Sequence, residues 1–337
     1  MKRQIAGTSL SSATVRTGGQ RTAAELDGSI RSRILSDMNQ PHTSRGGGTV
    51  GETRIDGVLY ERRPDAGGAP VVFDSPHSGA DYPDDFRTVV PPERLRLAED
   101  MDVDALFDGA PARGAVLLAA LFPRSYIDPN RPLSDLDPDL ILGAWPEELA
   151  PSTKSALGVG LIWRNEPTGG PMYNRKLTVR EVQARIDRCY RRYHERLRTA
   201  LNDAHARHGA VWHLNCHSMP SVSGPLSPEG PDIDRPQFNL GDRDGTTCDP
   251  AFTAFVQEAI EGLGYRCTVN DPYKGVELVR AYSDPARGRH SLQIEISRAL
   301  YMDETTFART GGFAALKADI DRLIEAIVDH AGARSRN

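Results

Sequence analysis

The sequence predicts an α/β fold, a three-layer α/β/α sandwich built on a mainly parallel central sheet. Residues 71–73 in "PVVFDSP" form a continuous apolar run stopped by Pro76, the pattern of a strand buried on both faces. Short apolar runs recur in "AVWHLNC" and "LQIEIS", and stretches with helical spacing separate them. Strands joined through helices pair in parallel with right-handed crossovers, and ligands bind outside the carboxyl ends of such strands.

The elements follow in order. Residues 1 to about 50 are rich in Ser, Thr, Gly and Arg and close on "SRGGGTVG". With little apolar surface to offset the entropy of ordering, they are expected to be a disordered extension, ahead of a single domain over 51–333. Met38 is an alternative start. "PPERLRLAEDMDVDALFDGA" has Pro-led helical spacing that places Leu95, Val103, Leu106 and Phe107 on one stripe. "AVLLAALFPRSYIDPNRP" reads as a strand ending near Ile127, and residues 132–160, rich in Pro, Asp and Gly, as a long loop. The clearest helix is "LTVREVQARIDRCYRRYHERLRTALNDAHARHG", opened by a Thr178–Glu181 capping box and closed by Gly209. A strand and turn ("AVWHLNCHSMP"), a helix closed by Gly264, the strands "YRCTVNDP" and "HSLQIEISR", and a last helix "FAALKADIDRLIEAIVDHAG" complete the chain.

Composition narrows the function. The chain has 337 residues, 39% hydrophobic and 26% charged, the balance of a globular protein with a closed core. A net charge of -5 gives no reason to expect a nucleic-acid partner, and no apolar run reaches the roughly 20 residues of a membrane span. Cys189, Cys216, Cys248 and Cys267 form no CxxC pair and read as free thiols of a reducing compartment. No apolar segment of the signal-peptide kind follows the basic start, so a cytoplasmic location is expected.

Three polar residues stand at the carboxyl side of apolar strands. His77 follows "VVFDSP", His217 follows "AVWHLNC", and Glu295 alternates with Leu292, Ile294 and Ile296. Each has an ordinary alternative: a strand-end histidine can simply cap a turn, and His213 in mid-strand reads as a core residue. A carboxylate inside an apolar strand is costly unless paired or coordinated, which favours a functional Glu295. Two histidines and a carboxylate at adjacent strand ends would make a mononuclear zinc site with an open position, completed by a general base.

The blocks "FDSPHSGADYP", "YIDPNRP", "NCHSMP", "GDRDGTTC", "DPYKGVELVR" and "LQIEISRALYMDE" resemble, in this order, the N-formylglutamate amidohydrolase family over about residues 70–305. The resemblance implies an α/β/α sandwich like that of the zinc carboxypeptidases, in the phosphorylase/hydrolase-like class, with zinc at the sheet's carboxyl edge. It implies His77 and His217 as zinc ligands and Glu295 as the base that activates water. The carboxypeptidase relatives place a glutamate three residues after the first histidine, where this chain has Ala80. The third ligand must come from Glu99, Asp100, Asp102 or Asp104. Asp100 matches the family's acidic position, and the other reading of the run is an acidic helix start.

The implied substrate, a small N-acyl amino acid, carries carboxylates that need planar bidentate partners. Arg131 and Arg280 are the first candidates and Arg175 the third, with Asn130 as an amide donor; Arg131 would also help hold the developing oxyanion. Arg164 and His290 are further candidates. The expected reaction is hydrolysis of N-formyl-L-glutamate by a monomer or homodimer. Two alternatives stand beside it: a deacylase of another N-acyl amino acid or small amide, and a metal-free protein that binds an acidic metabolite.

Overall fold

The computed structural model describes residues 50–334 apart from 65, 66, 225, 226 and 228. Residues 1–49 of the expected disordered extension lie outside the described residues, and its last residue, Val50, opens the first strand instead. Eight strands form one sheet: β1 (Val50–Ile55), β2 (Leu59–Pro64), β3 (Val71–Ser75), β4 (Val116–Ala120), β7 (Val211–Met219), β8 (Phe238–Gly241), β9 (Cys267–Val269) and β10 (Arg289–Ser297). Their order is β1-β2-β4-β3-β7-β10-β8-β9, and the two-residue strands β5 (Ile141–Leu142) and β6 (Leu177–Thr178) pair separately.

The centre of the sheet, β4-β3-β7-β10, is parallel. Antiparallel pairings flank it: β1 on β2, β2 on β4, and β8 on β10. The fold is therefore mixed α/β with a large, mostly parallel sheet. The strands β1, β2 and β8 escaped the sequence reading because they are short and carry polar residues between few apolar ones, as in "LYERRP".

Several boundaries moved. The helical stripe of residues 91–110 is broken into Pro92–Leu95 and Val103–Leu106, although Leu95, Val103, Leu106 and Phe107 are all buried as expected. The break is caused by docking onto the neighbouring turn: Asp100 N donates to His77 O at 3.0 Å, and Asp102 adopts φ 63°. Strand β4 stops at Ala120 rather than near Ile127, just ahead of Pro123, which has no N–H to give a ladder. Strand β7 continues through His217 to Met219. The loop after residue 132 holds only short elements, among them Thr153–Ala156.

The long helix starts on the Thr178–Glu181 capping box and ends at Gly209, φ 76°. A π-helical turn, Ile186–Tyr190, divides it into Val179–Arg185 and Arg191–His208. The four cysteines are buried free thiols. No described helix is long and apolar enough to cross a membrane.

Period-two alternation sorts the central strands into two faces. On one, Phe73 packs on Phe107 at 5.4 Å between ring centroids, and Trp212 on Phe252 at 6.0 Å. On the other, Val72, Leu118 and Val211 share an apolar cluster with Tyr193, Leu197, Ala200, Leu201 and Ala204 of the Arg191–His208 helix. This second face also carries a column of polar side chains. His213, Asn215 and His217 of β7 stand in register with Ser291, Gln293 and Glu295 of β10. The column climbs to the carboxyl edge of the sheet.

Candidate active site

Four chain segments meet at that edge. The turn after β3 delivers His77, and Gly79 makes its path possible: a Cβ there would lie 2.4 Å from backbone atoms of residues 121 and 122. The broken helical stretch delivers Asp100. Strand β7 supplies His217 and β10 supplies Glu295, and these two are register partners, so their side chains emerge together.

His77, Asp100 and His217 are buried and offer ligand atoms within 4.8 Å of one another. Asp100 Oδ2 lies 2.9 Å from His217 Nδ1 and 3.3 Å from His77 Nδ1. The outer nitrogens decide what the inner ones carry. His77 Nε2 is 2.8 Å from the Asp128 carboxylate, an acceptor, so it must donate. His217 Nε2 is 2.7 Å from Asn215 Oδ1, and Asn215 Nδ2 donates to Asp74 at 2.8 Å, which assigns the amide orientation. The Asn130 amide nitrogen lies farther from the same Nε2, at 3.2 Å, and Asn130 Oδ1 accepts from Leu278 N at 2.9 Å.

With both protons on Nε2, the two neutral imidazoles turn bare Nδ1 lone pairs toward a carboxylate oxygen. Three acceptors facing one another need a proton or a cation between them. This donor set, with each histidine oriented by an outer hydrogen bond, fits a divalent ion. Of the four candidate acids, only Asp100 belongs to the group. Glu99 is bonded by Tyr82, Asp102 pairs with Arg309 at 2.6 Å, and Asp104 accepts from Tyr60 at 2.9 Å.

The charges around the group are strongly ordered. Burial alone would raise the Asp100 carboxyl, but the adjoining His217 and His77 rings and the Arg124 charge hold it well below the usual carboxylate range. Arg298 donates to its other oxygen at 3.2 Å. Glu295 goes the opposite way: burial and the Asp100 charge push it well above its ordinary value, against the pull of Arg124, Arg235 and Arg298. Gln293 Nε2 donates to Glu295 Oε1 at 3.0 Å and fixes that carboxylate.

A cavity of about 570 Å³ opens over these residues. Seven basic side chains line it (Arg124, Arg131, Lys154, Arg235, Arg243, Arg280 and Arg298) against the acids Asp100, Asp135, Glu277 and Glu295. The excess favours an anionic ligand. Arg124 pairs with Asp128 at 3.0 Å, Arg235 with Glu229 at 2.7 Å, and Arg280 with Glu277 at 2.7 Å. Arg131 differs. It is 8% exposed, and among the described residues its guanidinium has no ion pair, only contacts of 3.4 and 3.5 Å to the carbonyls of Asn130 and Val159.

The structure brings together His77, Asp100, Asn130, Arg131, His217, Arg280 and Glu295 of the expected set. It does not bring in Arg175, which donates bidentately to Glu181 at 2.7 and 3.1 Å beside the capping box, outside the cavity lining. Arg175→Ala is therefore expected to leave kcat/KM unchanged and to lower stability by about 0–1 kcal/mol, the worth of a surface pair; steady-state kinetics and urea melts check this. Arg164 pairs with Asp137 at 2.6 Å, and His290 stacks on Trp212 at 5.3 Å. The sequence reading missed Arg124, Arg235, Arg298, Asp128 and Asn215. Asp128 and Asn215 sit inside the motifs "YIDPNRP" and "NCHSMP", which was the available signal.

The loop bearing Asn130 and Arg131 is held from behind. Tyr190 OH donates to Arg131 O at 2.9 Å, and His194 Nε2 lies 2.9 Å from Pro129 O with its Nδ1 2.8 Å from Tyr282 OH. Burial lowers the His194 pKa to about 4. Between about pH 6.5 and 4 the unfolded chain binds the proton that folded His194 refuses, so stability is full above 6.5 and lost as pH falls through that window. Wild type is expected to lose about 2 kcal/mol more than His194→Gln between pH 7 and 5, read by urea denaturation.

The profile of the N-formylglutamate amidohydrolase family matches residues 69–302. The chain belongs to the N-formylglutamate amidohydrolase family. An N-formylglutamate deformylase of Pseudomonas putida is 31% identical over 243 residues, 71% of this chain and 84% of the relative. Its counterpart from Pseudomonas aeruginosa is 28% identical over 282 residues, 81% of this chain and 97% of that protein. The solved structure of an N-formylglutamate amidohydrolase from Ralstonia eutropha JMP134 superposes with a TM-score of 0.77 at 48% identity, covering 82% of this chain and 99% of that one. The matched span of the family contains all of the cavity-lining residues named above.

Proposed function

We propose that this chain hydrolyses the amide bond of N-formyl-L-glutamate to formate and L-glutamate. The observation that carries the reading is the convergence of the His77–Asp100–His217 group and Glu295 on one cationic cavity. The deformylase and amidohydrolase activity of the relatives supports it. Helices against both faces of the sheet support a three-layer α/β/α sandwich of the zinc-carboxypeptidase kind as the architecture of a single domain over 51–333.

His77 Nδ1, His217 Nδ1 and Asp100 would hold one divalent ion, which we assign as zinc. Bound there, it would supply Lewis acidity and lower the pKa of a water toward about 7. Glu295 takes the proton from the attacking water at a carboxylate oxygen and later delivers it to the departing amide nitrogen. The C–N bond breaks, the carbonyl carbon gains the water oxygen, and Glu295 ends as it began. Burial raises its proton affinity, which favours taking the proton from water. Gln293 keeps the carboxylate aimed. Arg131, whose donors meet no carboxylate among the described residues, receives a substrate carboxylate, with Asn130 and Arg280 beside it.

The test is amine release from a panel of N-acyl amino acids. N-formyl-L-glutamate is expected to give the highest kcat/KM. A clear preference for a larger acyl group or a neutral amino acid would assign the deacylase activity instead, and ligand binding without turnover anywhere in the panel would assign a binding protein.

A further inference from the structure

The polar column beneath the site contains a buried charge that the reaction does not use. Asp74, on β3, is fully buried and register-paired with Asn215. Its Oδ1 accepts from His213 Nε2 at 2.9 Å and from Asn215 Nδ2 at 2.8 Å, and its Oδ2 from Tyr193 OH at 2.7 Å. His213 Nδ1 in turn lies 2.7 Å from Ser291 Oγ. We infer that Asp74 is a positioning residue: it clamps the Asn215 amide, and Asn215 thereby fixes which nitrogen of His217 faces the metal position. The inference rests on the reading that His77, Asp100 and His217 hold a divalent ion.

An asparagine amide can turn over, exchanging its oxygen for its NH2 at little steric cost. With the oxygen toward His217, Nε2 must be protonated and Nδ1 is left bare. With the NH2 toward His217, Nε2 must accept, the proton moves to Nδ1, and the ligand lone pair is lost. Asp74 Oδ1 can only accept, so it admits the Asn215 NH2 and excludes the amide oxygen. Tyr193 and His213 hold the carboxylate itself, each from a different element. Burial of a carboxylate in a sheet face is costly, and an apolar residue would serve packing alone better. The column thus passes a single orientation from Tyr193 and His213 through Asp74 and Asn215 to His217.

The test uses the whole protein and two readouts: the Zn²⁺ dissociation constant by chelator competition, and the His217 tautomer by ¹⁵N imidazole NMR of metal-free protein. Asp74→Leu removes the clamp and Asn215→Leu removes the relay. Each is expected to weaken zinc binding about 10- to 100-fold, the usual effect of losing an outer partner of a ligand histidine, and to shift His217 from Nε2–H to a mixture. The double variant should bind no more than about threefold weaker than Asn215→Leu, because Asp74 has then nothing to orient.

Asp74→Asn keeps an oxygen for His213 and Asn215 while Tyr193 reverses its bond, so zinc affinity within about threefold of wild type and an unchanged tautomer are expected. Additive losses in the double variant, an unchanged His217 tautomer in Asn215→Leu, or an Asp74→Asn protein as impaired as Asp74→Leu would each overturn the inference. If Asp74→Leu does not fold, the Asp74→Asn and Asn215→Leu results still decide. A wild type that binds no divalent ion would refute the functional reading, while the tautomer result would still settle the clamp.

Discussion

Glu295→Gln should lower kcat by about 10²–10⁴, the range that a positioned general base contributes, while leaving the metal content of the protein unchanged. The substitution is nearly isosteric. Glutamine keeps an oxygen for Gln293 Nε2, which donates to Glu295 Oε1 at 3.0 Å, so the side chain should stay in place. Glu295 is not part of the His77–Asp100–His217 group, and the ligand set is intact without it. What disappears is the capacity to take and return a proton. Both kcat and kcat/KM should therefore fall together, as for an interaction made in the transition state only. Steady-state kinetics with elemental analysis of the same sample checks this, and a loss of less than about tenfold in kcat would remove Glu295 from the proton path.

Replacing Arg131 should have the second largest effect, and through a different parameter. Its guanidinium is 8% exposed, lines the cavity and has no ion pair among the described residues. Burial lowers its pKa, which means that the charge is held at a cost that an incoming carboxylate would offset. Truncating one partner of a buried charge pair costs about 2–5 kcal/mol, so Arg131→Ala should reduce kcat/KM on N-formyl-L-glutamate by about 30-fold or more. Most of the loss should be in KM. Arg131→Lys keeps the charge without the planar fork and should recover only part of the activity. A KM within threefold of wild type in Arg131→Ala would show that the substrate carboxylates bind elsewhere, with Arg280 and Arg235 among the alternatives lining the same cavity.

Much of this site was legible in the residues because strand physics is local. Val71, Val72 and Phe73 announce a buried strand, and the alternation of Gln293 and Glu295 with Leu292, Ile294 and Ile296 announces one polar face. The same alternation in β7, with Trp212, Leu214 and Cys216 against His213, Asn215 and His217, would have extended that face across two strands. Parallel register then places Glu295 beside His217. His213, a core residue by its mid-strand position, is buried and bonded to Asp74 and Ser291.

Less was legible where tertiary contacts override local pattern. The helical spacing of residues 91–110 gave no sign of the break at Asp100, which exists because the chain docks onto the His77 turn. Arg175 looked like the other candidate arginines, but Glu181 sits within reach on the first turn of the next helix and takes its donors. Arg298 and Arg124 act on Asp100 from residues 198 and 24 positions away in the chain, and no spacing rule links them. Long-range ion pairs of this kind decide which carboxylates stay charged, and they are set by topology.

The central claim is that the His77–Asp100–His217 group holds a divalent ion on which hydrolysis depends. The most direct measurement is formate release from N-formyl-L-glutamate by one preparation in three states: as purified, stripped with chelator, and resupplied with Zn²⁺. The account predicts about one bound ion per chain in the active states, loss of activity on stripping, and recovery on resupply. Formate release that persists at full rate in protein shown to be metal-free would contradict it.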